Sequence, residues 1–361
     1  MSSNARPTLF TGECVSTATG APSLSRFFPA DSSKPLVVLI PGGGHNARIF
    51  YGGHDGFEAK DFLAAWLVER GLGVLALSYP LESEPSILPA VAPMFGIRAW
   101  GHQAAEATKQ TVDEHQLCGD IVLVAWSMGG RLLVPYSREA RRLGLNVKLF
   151  VSLAATPGLP GARLGTPETT MTSAGYATLA GMFHLFVGQL REQEALNDHK
   201  TIIPEQVFRA EYFGALPVGL LGWGVKYDGQ GGTVHDEWGH IEDAAAHSFS
   251  DLPWVVCLAP TSQLDARHAL ADRASWGYLT TQKLTAMLVG LPQMEPTRWA
   301  KLMNFVHSAP AKLSESVPGN HYFFVGRAGA RATAAAIIRM LDTADSLQSE
   351  LEGLLDDRSK L

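Results

Sequence analysis

The sequence has few of the residues that mark several common classes of protein. Its 361 residues include only three cysteines, Cys14, Cys118 and Cys257, and an odd, sparse set of this kind does not form a disulfide framework. It contains no block of Lys and Arg, and the formal net charge is -6. Nucleic acid is therefore not an expected partner. No uninterrupted apolar run approaches the roughly 20 residues needed to span a bilayer, so no membrane partner is expected either.

The N-terminal stretch MSSNARPTLF also lacks the charged and apolar regions of a signal peptide. Together with the sparse cysteines, which are typical of a reducing compartment, this predicts a cytoplasmic protein. What the chain has in quantity is apolar residues, at 46% of the total, against 18% charged residues. Such a composition can bury a large core, so disorder is not expected.

Five short apolar runs are continuous rather than alternating, which is typical of parallel strands covered on both faces. They span residues 36–40, 73–77, 121–124, 147–153 and 254–258. A further stretch, residues 9–17, predicts an edge strand or hairpin.

Helical patterns lie between the strands. One follows a capping-box pattern at Asp55–Glu58 and should end at Gly71, and others span 99–116, 129–143 and 328–341. Pro135 should kink the third. This alternation predicts an α/β fold with a mostly parallel central sheet and helices on both faces.

The alternation stops between about residues 157 and 251, where Gly and Pro clusters and a helix-like piece at 176–196 occur without a strand series. We interpret residues 158–250 as a mainly helical cap inserted into the core. Residues 1–157 and 251–361 then form the N-terminal and C-terminal parts of that core.

One stretch presents a serine where a strand should turn sharply into a helix. In IVLVAWSMGGRLLVPY, the pentapeptide from Ala125 to Gly129 fits the G-x-S-x-G pattern with Ala in the first position. In this motif the serine occupies a strained turn, and the flanking positions are small because they approach each other. Ser127 would then stand at a helix N-terminus, which offers free N–H groups and a partial positive charge.

These features resemble the α/β-hydrolase family, and the resemblance covers most of the chain apart from the insertion. It implies that Ser127 is a nucleophile, followed along the chain by an acid and then a histidine. His321, in SVPGNHYFFVGRAG before the last helix, matches the histidine position. Asp265 is the expected acid, because Asp251 precedes the strand 254–258 and Asp272 should already be helical.

The resemblance also implies an oxyanion hole made of two backbone N–H groups. One would come from Met128, the residue after the nucleophile. The second would come from the glycine loop after the strand 36–40, with Gly43 as the expected donor and Gly44 as the competitor. Pro41 stands where the family usually has histidine.

The same glycine loop has a rival interpretation. Gly42, Gly44 and Ala47 match part of a dinucleotide-binding fingerprint. However, the residues that follow do not predict an immediate helix, and no strand ending in an acid stands at the expected distance. No cofactor is therefore expected.

Other residues also have simpler explanations. His235, His240 and His247 lie among acids in the insertion but match no H-E-x-x-H pattern, so no metal site is expected. Asp265 could be a solvated helix N-cap, and Cys257 is expected to be an inert core residue.

The sequence thus predicts a serine hydrolase that cleaves a carboxylic ester or thioester of a hydrophobic small molecule through an acyl-enzyme. An acyltransferase, a lactone-forming or lactone-opening enzyme, or a C–C bond-cleaving enzyme would use the same triad, and a non-catalytic receptor is a further alternative. His45 and Arg48 could contact a polar end of the substrate, and Trp126 could pack beside the floor of the site. Apolar residues of the insertion should partly line the cleft, among them Met171, Tyr176, Leu179, Met182, Phe183, Leu185, Phe186, Phe208, Tyr212, Phe213 and Trp223.

Overall fold

The computed structural model describes residues 9–159, 170–222, 224–249, 251–289 and 294–355. Its strands are β1 Glu13–Ser16, β2 Ser23–Phe28, β3 Leu36–Ile40, β4 Val74–Leu77, β5 Asp120–Trp126, β6 Asn146–Leu153, β7 Thr170–Met171, β8 Tyr176–Thr178, β9 Leu216–Pro217, β10 Val225–Tyr227, β11 Thr233–His235, β12 Trp254–Pro260 and β13 Ser314–Val317. Its helices are α1 Leu63–Glu69, α2 Ile97–His115, α3 Leu133–Arg142, α4 Phe183–Ala195, α5 Glu205–Val207, α6 Glu237–Asp243, α7 Ala266–Leu288, α8 Pro296–Lys312 and α9 Arg327–Leu355.

The centre of the molecule is an eight-stranded sheet in the order β1-β2-β4-β3-β5-β6-β12-β13. Strands β1 and β2 pair antiparallel, as do β2 and β4, and every other neighbouring pair is parallel. The mostly parallel sheet and all five predicted strands are therefore confirmed. The carboxyl ends of the parallel strands meet at one edge, which is where open α/β sheets place their functional sites.

Both faces of this sheet are covered. In β3, Val37 and Leu39 join one core cluster, together with apolar residues of α1, α8 and α9. Leu36, Val38 and Ile40 point the other way, into a second cluster with α2 and α3. Because side chains alternate between the two faces of a strand, a strand that is buried on both faces has an unbroken run of apolar residues in its sequence.

Two details of the predicted helices were wrong. The capping box at Asp55–Glu58 does not start α1, which begins at Leu63 after Phe62 with no side-chain cap. The kink predicted at Pro135 also does not follow, because the α-helix begins only two residues earlier. A 3₁₀ segment, Ser127–Leu132, precedes it, and a proline in the first turn of a helix removes no intrahelical hydrogen bond.

In the insertion, the described residues form more helix than strand, as predicted, but they also include five short strands that the sequence did not predict. Strands β7, β8 and β9 make an antiparallel sheet, and β10 and β11 make a hairpin. Isolated bridges join this region to the core, between His45 and Phe213 and between Glu82 and Ala215. The boundaries at residues 158 and 250 stay a prediction, and Trp223 lies outside the described residues.

Within the described ranges, no helix combines the length and the apolar character needed to cross a bilayer.

Candidate active site

Ser127 follows the last residue of β5 directly and has a φ of +53°. This left-handed conformation is costly for a residue with a Cβ atom. It is the backbone strain that the G-x-S-x-G motif places at its serine. The glycine loop after β3 comes very close to it. A Cβ atom added to Gly42 would lie 2.8 Å from the Cβ of Ser127 and 3.0 Å from the indole of Trp126, so only glycine fits at position 42.

Asp265 and His321 form a buried pair. His321 Nδ1 lies 2.8 Å from Asp265 Oδ2, although the two residues come from loops after different strands, β12 and β13. Backbone hydrogen bonds join these loops, since the amides of Thr261 and Ser262 both donate to the carbonyl of Gly319. Asp265 occupies the N-cap position of α7, but its side chain makes no capping bond. The carboxylate therefore bonds to His321 and does not cap the helix.

The charge state of Asp265 suits this pairing. Burial raises the pKa of Asp265. The charge of His321, the hydrogen bond from His321 and the charges of His268 and Arg267 all lower that pKa, and together they outweigh burial. The pKa of the carboxyl therefore lies below its ordinary value. An ionised Asp265 accepts the Nδ1 proton of His321, and this leaves the Nε2 lone pair of that ring as the basic site.

A cavity of about 470 Å³ lies at the carboxyl edge of the sheet. All five residues that the sequence singled out line it, namely Ser127, Asp265, His321, Gly43 and Met128. The insertion contributes an apolar wall, which includes Leu179, Met182, Leu185 and Phe186. Only some of the apolar insertion residues named from the sequence were expected to line the cleft, and the remaining ones, apart from Trp223, are not among the described lining residues.

No family model and no curated relative matches the sequence. Among solved structures, the chain is similar to an esterase from Thermogutta terrifontis, with a TM-score of 0.50 and 14% identity over 92% of this chain and 98% of that one. The chain has the α/β-hydrolase fold. It is also similar to an esterase from the archaeon Pyrobaculum calidifontis (TM-score 0.45, 15% identity, 92% and 83% covered) and to a thioesterase domain from the curacin biosynthetic pathway (TM-score 0.40, 12% identity, 92% and 100% covered).

Within this fold, Trp126 connects the turn at Ser127 to the loop that carries His321. Its indole Nε1 donates a hydrogen bond of 2.9 Å to the carbonyl of His321. Its ring also packs against the rings of His45, His321, Tyr322 and Phe324, at centroid distances between 4.7 and 5.3 Å. The expectation that Trp126 packs beside the floor of the site is confirmed.

The glycine loop is held from behind by buried side chains. Tyr79 donates its hydroxyl to the carbonyl of Gly42 at 2.8 Å. His45 Nδ1 lies 2.7 Å from the carbonyl of Gly43, and His45 Nε2 lies 2.7 Å from the hydroxyl of Tyr322. Burial lowers the pKa of His45 to about 3, so the ring is neutral. A neutral ring can donate through Nδ1 to Gly43 and accept the Tyr322 proton at Nε2.

The structure gives His45 and Arg48 partners within the protein. Arg48 is fully buried and forms ion pairs with Glu13 of β1 and with Glu211 of the insertion. It therefore links the first strand to the insertion and is not among the described residues that line the cavity. His45 does line the cavity, but both of its ring nitrogens already have partners within the protein.

A second histidine–aspartate pair lies beside the first and was not predicted from the sequence. His268 Nδ1 is 2.9 and 3.0 Å from the two carboxyl oxygens of Asp272, and its ring centroid is 5.0 Å from that of His321. Burial, together with the charge of Asp265, raises the pKa of Asp272 to about 8. As expected, Asp272 lies within a helix, and its i,i+4 spacing to His268 was the one pattern that could have indicated the pair.

Among the described residues, one group has the side chains and spacing to hold a metal ion, and it consists of Asp265, His268 and His321. An ion there would compete with the hydrogen bond between Asp265 and His321. The insertion histidines weighed from the sequence are not part of this group. Cys257 is buried in β12, and burial raises the pKa of its thiol to about 12, as expected for an inert core residue.

Helix α4 of the insertion holds both loops that carry the His321–Asp265 pair. Glu192 accepts the hydroxyl of Ser262 at 2.8 and 2.9 Å and the side-chain amide of Asn320 at 2.5 Å. Gln189 donates to the carbonyl of Leu264 at 3.0 Å and accepts from Asn320 at 2.7 Å. These bonds bring α4 to the residues adjacent to Asp265 and His321, a contact between distant segments that no local sequence pattern reveals.

Proposed function

We propose that the protein is a serine hydrolase that cleaves a carboxylic ester or thioester of a hydrophobic small molecule through an acyl-enzyme on Ser127. The observation that carries this proposal is the His321 Nδ1 to Asp265 Oδ2 hydrogen bond of 2.8 Å, in a cavity that Ser127 also lines. A serine hydroxyl needs such a base, and the base needs an orienting acid. The esterase from Thermogutta terrifontis, named above, shares this fold.

In the first half of the reaction, His321 Nε2 removes the Ser127 proton as Ser127 Oγ attacks the acyl carbon. The carbonyl π electrons move to oxygen and form the tetrahedral oxyanion. When this intermediate collapses, His321 gives the proton to the leaving alcohol or thiol, and the acyl group stays on Ser127. In the second half, His321 takes a proton from water, whose oxygen attacks the acyl carbon. The carboxylic acid leaves, and Ser127 regains its proton.

The oxyanion would be stabilised by the backbone N–H groups of Gly43 and Met128. Gly44, the alternative to Gly43 as the second N–H donor, is less suitable for that role, because its amide and that of His45 lie against the hydroxyl of Tyr79. The carbonyl of Gly43 is fixed by His45, which would keep the adjacent peptide groups in place before the substrate arrives. Loss of one such donor would reduce the rate by about 10²–10³-fold.

The apolar wall of the insertion supports the proposed substrate class. Leu179, Met182, Leu185 and Phe186 would bury an apolar acyl group, and burial of apolar area contributes about 25 cal/mol per Å². Sugars and highly charged molecules would gain little from this wall.

The test is labelling with a fluorophosphonate probe, which reacts with an activated serine. The unchanged protein should be labelled, whereas Ser127→Ala should not be labelled and His321→Ala should be labelled at least about 10³-fold more slowly. Ser349→Ala, at an exposed serine of α9, is the matched control and should be labelled normally. Mass spectrometry after brief reaction with an ester should find the acyl group on Ser127. Full ester turnover by Ser127→Ala would refute the proposal.

A further inference from the structure

The glycine loop, residues 42–44, is held through its carbonyl groups by distant parts of the protein. The carbonyl of Gly42 accepts the hydroxyl of Tyr79 at 2.8 Å, and the carbonyl of Gly44 accepts the amide of Gly214 in the insertion at 2.9 Å. Within a trans peptide group the carbonyl and the N–H point in opposite directions. A donor that holds a carbonyl therefore also sets the direction of the N–H in the same peptide group.

The carbonyl between these two, that of Gly43, depends on a histidine. His45 Nδ1 lies 2.7 Å from it, and His45 Nε2 lies 2.7 Å from the hydroxyl of Tyr322. A carbonyl can only accept a hydrogen bond, so Nδ1 of His45 carries the ring proton. Nε2 of the neutral ring is then an acceptor, and Tyr322 is the donor to it.

The surroundings keep this chain of hydrogen bonds in one protonation state. Burial lowers the pKa of His45 to about 3 and raises the pKa of Tyr322 well above its ordinary value. The His45 ring therefore stays neutral, and the Tyr322 hydroxyl keeps its proton, at neutral pH. The rings of Trp126, Phe186 and Phe213 pack edge-on against His45, at centroid distances of 4.7, 5.0 and 5.8 Å, and none of these three rings can donate to Nε2 in place of Tyr322.

The donor to His45 comes from the loop that carries His321, since Tyr322 is the next residue in the chain. The backbone of Tyr322 is fixed within that loop. Its amide donates to Asn320 Oδ1 at 2.9 Å, and its carbonyl accepts the amide of Val325 at 2.7 Å. The bond from Tyr322 to His45 therefore joins the loop that carries His321 to the glycine loop.

We propose that Tyr322 is a positioning residue for the hydrolysis, because its hydroxyl fixes the His45 ring with the proton on Nδ1, and His45 in turn fixes the peptide group that follows Gly43. Gly43 has no side chain to restrict its torsion angles, so the peptide groups on both sides of its Cα need a partner. Tyr79 supplies one and His45 the other. Tyr322 is not among the described residues that line the cavity, so its effect passes through His45. This inference rests on the proposed hydrolase function, to which it adds a support for the oxyanion donor.

The first test observes the hydrogen bond of His45 directly. In NMR spectra of protein with isotopically labelled histidine nitrogens, the His45 signals are assigned by their loss in His45→Gln. The unchanged protein should show a proton on Nδ1 that exchanges slowly with water, and Tyr322→Phe should speed this exchange by about tenfold, since one buried hydrogen bond is lost. Tyr136→Phe is the matched control, because it removes another buried hydroxyl, which bonds to Thr108 at 3.0 Å. Equal exchange in the two variants would overturn the inference.

Kinetics test whether this bond affects the reaction. Tyr322→Phe should lower kcat for ester hydrolysis by about tenfold, which is part of the effect of losing an oxyanion donor. KM should stay nearly constant, because the oxyanion forms only in the transition state. Affinity for an octyl trifluoromethyl ketone, which forms an oxyanion when an activated serine adds to it, should fall by the same factor. Tyr136→Phe should lose similar thermal stability but keep its kcat and its affinity for the ketone.

A double-mutant cycle tests the route through His45. His45→Leu should lower kcat, and addition of Tyr322→Phe should lower it no further, because the acceptor of the hydroxyl is already gone. Two effects that multiply would show that Tyr322 acts independently of His45, against the inference. The exchange and kinetic tests do not need His45→Leu, and they decide the matter if it does not fold.

The outcomes also separate this inference from the proposed function. If the unchanged protein hydrolyses esters and Tyr322→Phe has the same kcat as Tyr136→Phe, the inference is wrong and the hydrolase proposal stands. If the unchanged protein hydrolyses no ester and its serine is not labelled by the fluorophosphonate probe, the hydrolase proposal fails and the inference fails with it.

Discussion

The turn at Ser127 and helix α4 of the insertion both hold groups of the candidate active site, but they do so by different means. Ser127 is fixed by backbone, since β5 pairs with β3 and β6 on its two sides and the glycine loop packs against it. Asp265 and His321 lie in loops that are bonded to α4 through Gln189 and Glu192. The position of Ser127 is therefore a property of the core, whereas the positions of Asp265 and His321 also depend on the insertion.

The two kinds of support also differ in the free energy that is lost when they are disturbed. Forcing an extra methyl group into a close-packed core costs about 1–3 kcal/mol and displaces neighbouring backbone. Losing one side-chain hydrogen bond costs only about 0.5–1.5 kcal/mol. Changes at the turn should therefore damage activity severely, while changes at α4 should weaken it without destroying the fold.

The largest effect is expected for Gly42→Ala. The new Cβ atom would lie 2.8 Å from that of Ser127 and 3.0 Å from the Trp126 ring, so Ser127 must shift. Because misplacement by about 1 Å can cost 10²-fold, kcat should fall by about that factor. Gly188→Ala is the matched change on α4, where the new methyl group meets nothing within 4 Å, and it should leave ester turnover unchanged. A fully active Gly42→Ala protein would show that the close approach is not needed.

A smaller effect is expected for Glu192→Ala. It removes the acceptor of both Ser262 and Asn320, and the two loops should then hold the His321–Asp265 pair less firmly. We expect kcat to fall by about tenfold, since 1.4 kcal/mol corresponds to that factor, with KM nearly constant. Glu205→Ala, at an exposed ion pair with Arg191, is the control. If Glu192→Ala and Glu205→Ala have equal kcat values, α4 does not position the pair.

A third prediction concerns acid stability and not activity. The pKa of His45 in the folded protein is about 3, whereas that of an unfolded histidine is about 6.5. As pH falls below about 6.5, His45 is protonated in the unfolded chain but stays neutral in the folded protein. The free energy of unfolding therefore falls by up to about 1.4 kcal/mol per pH unit. His45→Gln should remove this contribution, which urea unfolding between pH 6 and pH 4 would measure. An unchanged slope would contradict a neutral buried His45.

The corresponding residue in the insertion is His240, on α6. Burial, aided by the charges of Arg131 and Lys226, lowers its pKa to about 4. His240→Gln should flatten the same slope if the insertion unfolds together with the core. This second measurement therefore tests whether the two regions form one cooperative unit.

The sheet could be predicted from the sequence because a strand buried on both faces must be apolar throughout. The strands that were missed lack this property. Strand β2 ends in half-buried residues, β13 is SESV at the edge of the sheet, and the insertion strands have two or three residues each. A period of two residues cannot be recognised over so short a length.

Three residues of the candidate site could be predicted because chain order and local motif point to them. Ser127, Asp265 and His321 lie where the hydrolase resemblance implies, and their catalytic roles stay a prediction. The supporting contacts could not be predicted in the same way. The bonds of Glu192 to Asn320 and of His45 to Tyr322 join residues more than a hundred positions apart, and nothing in either segment alone indicates the other.

The hydrogen bond from the indole of Trp126 to the carbonyl of His321 has a consequence for redesign of this protein. Trp126 precedes Ser127 in the chain and also anchors the main chain of His321, so an exchange of Trp126 for a smaller residue alters the surroundings of both residues at once. It would leave a buried carbonyl without its donor and open a void between Tyr322 and Phe324. Libraries that vary position 126 should therefore vary the segment 321–324 with it, as one module.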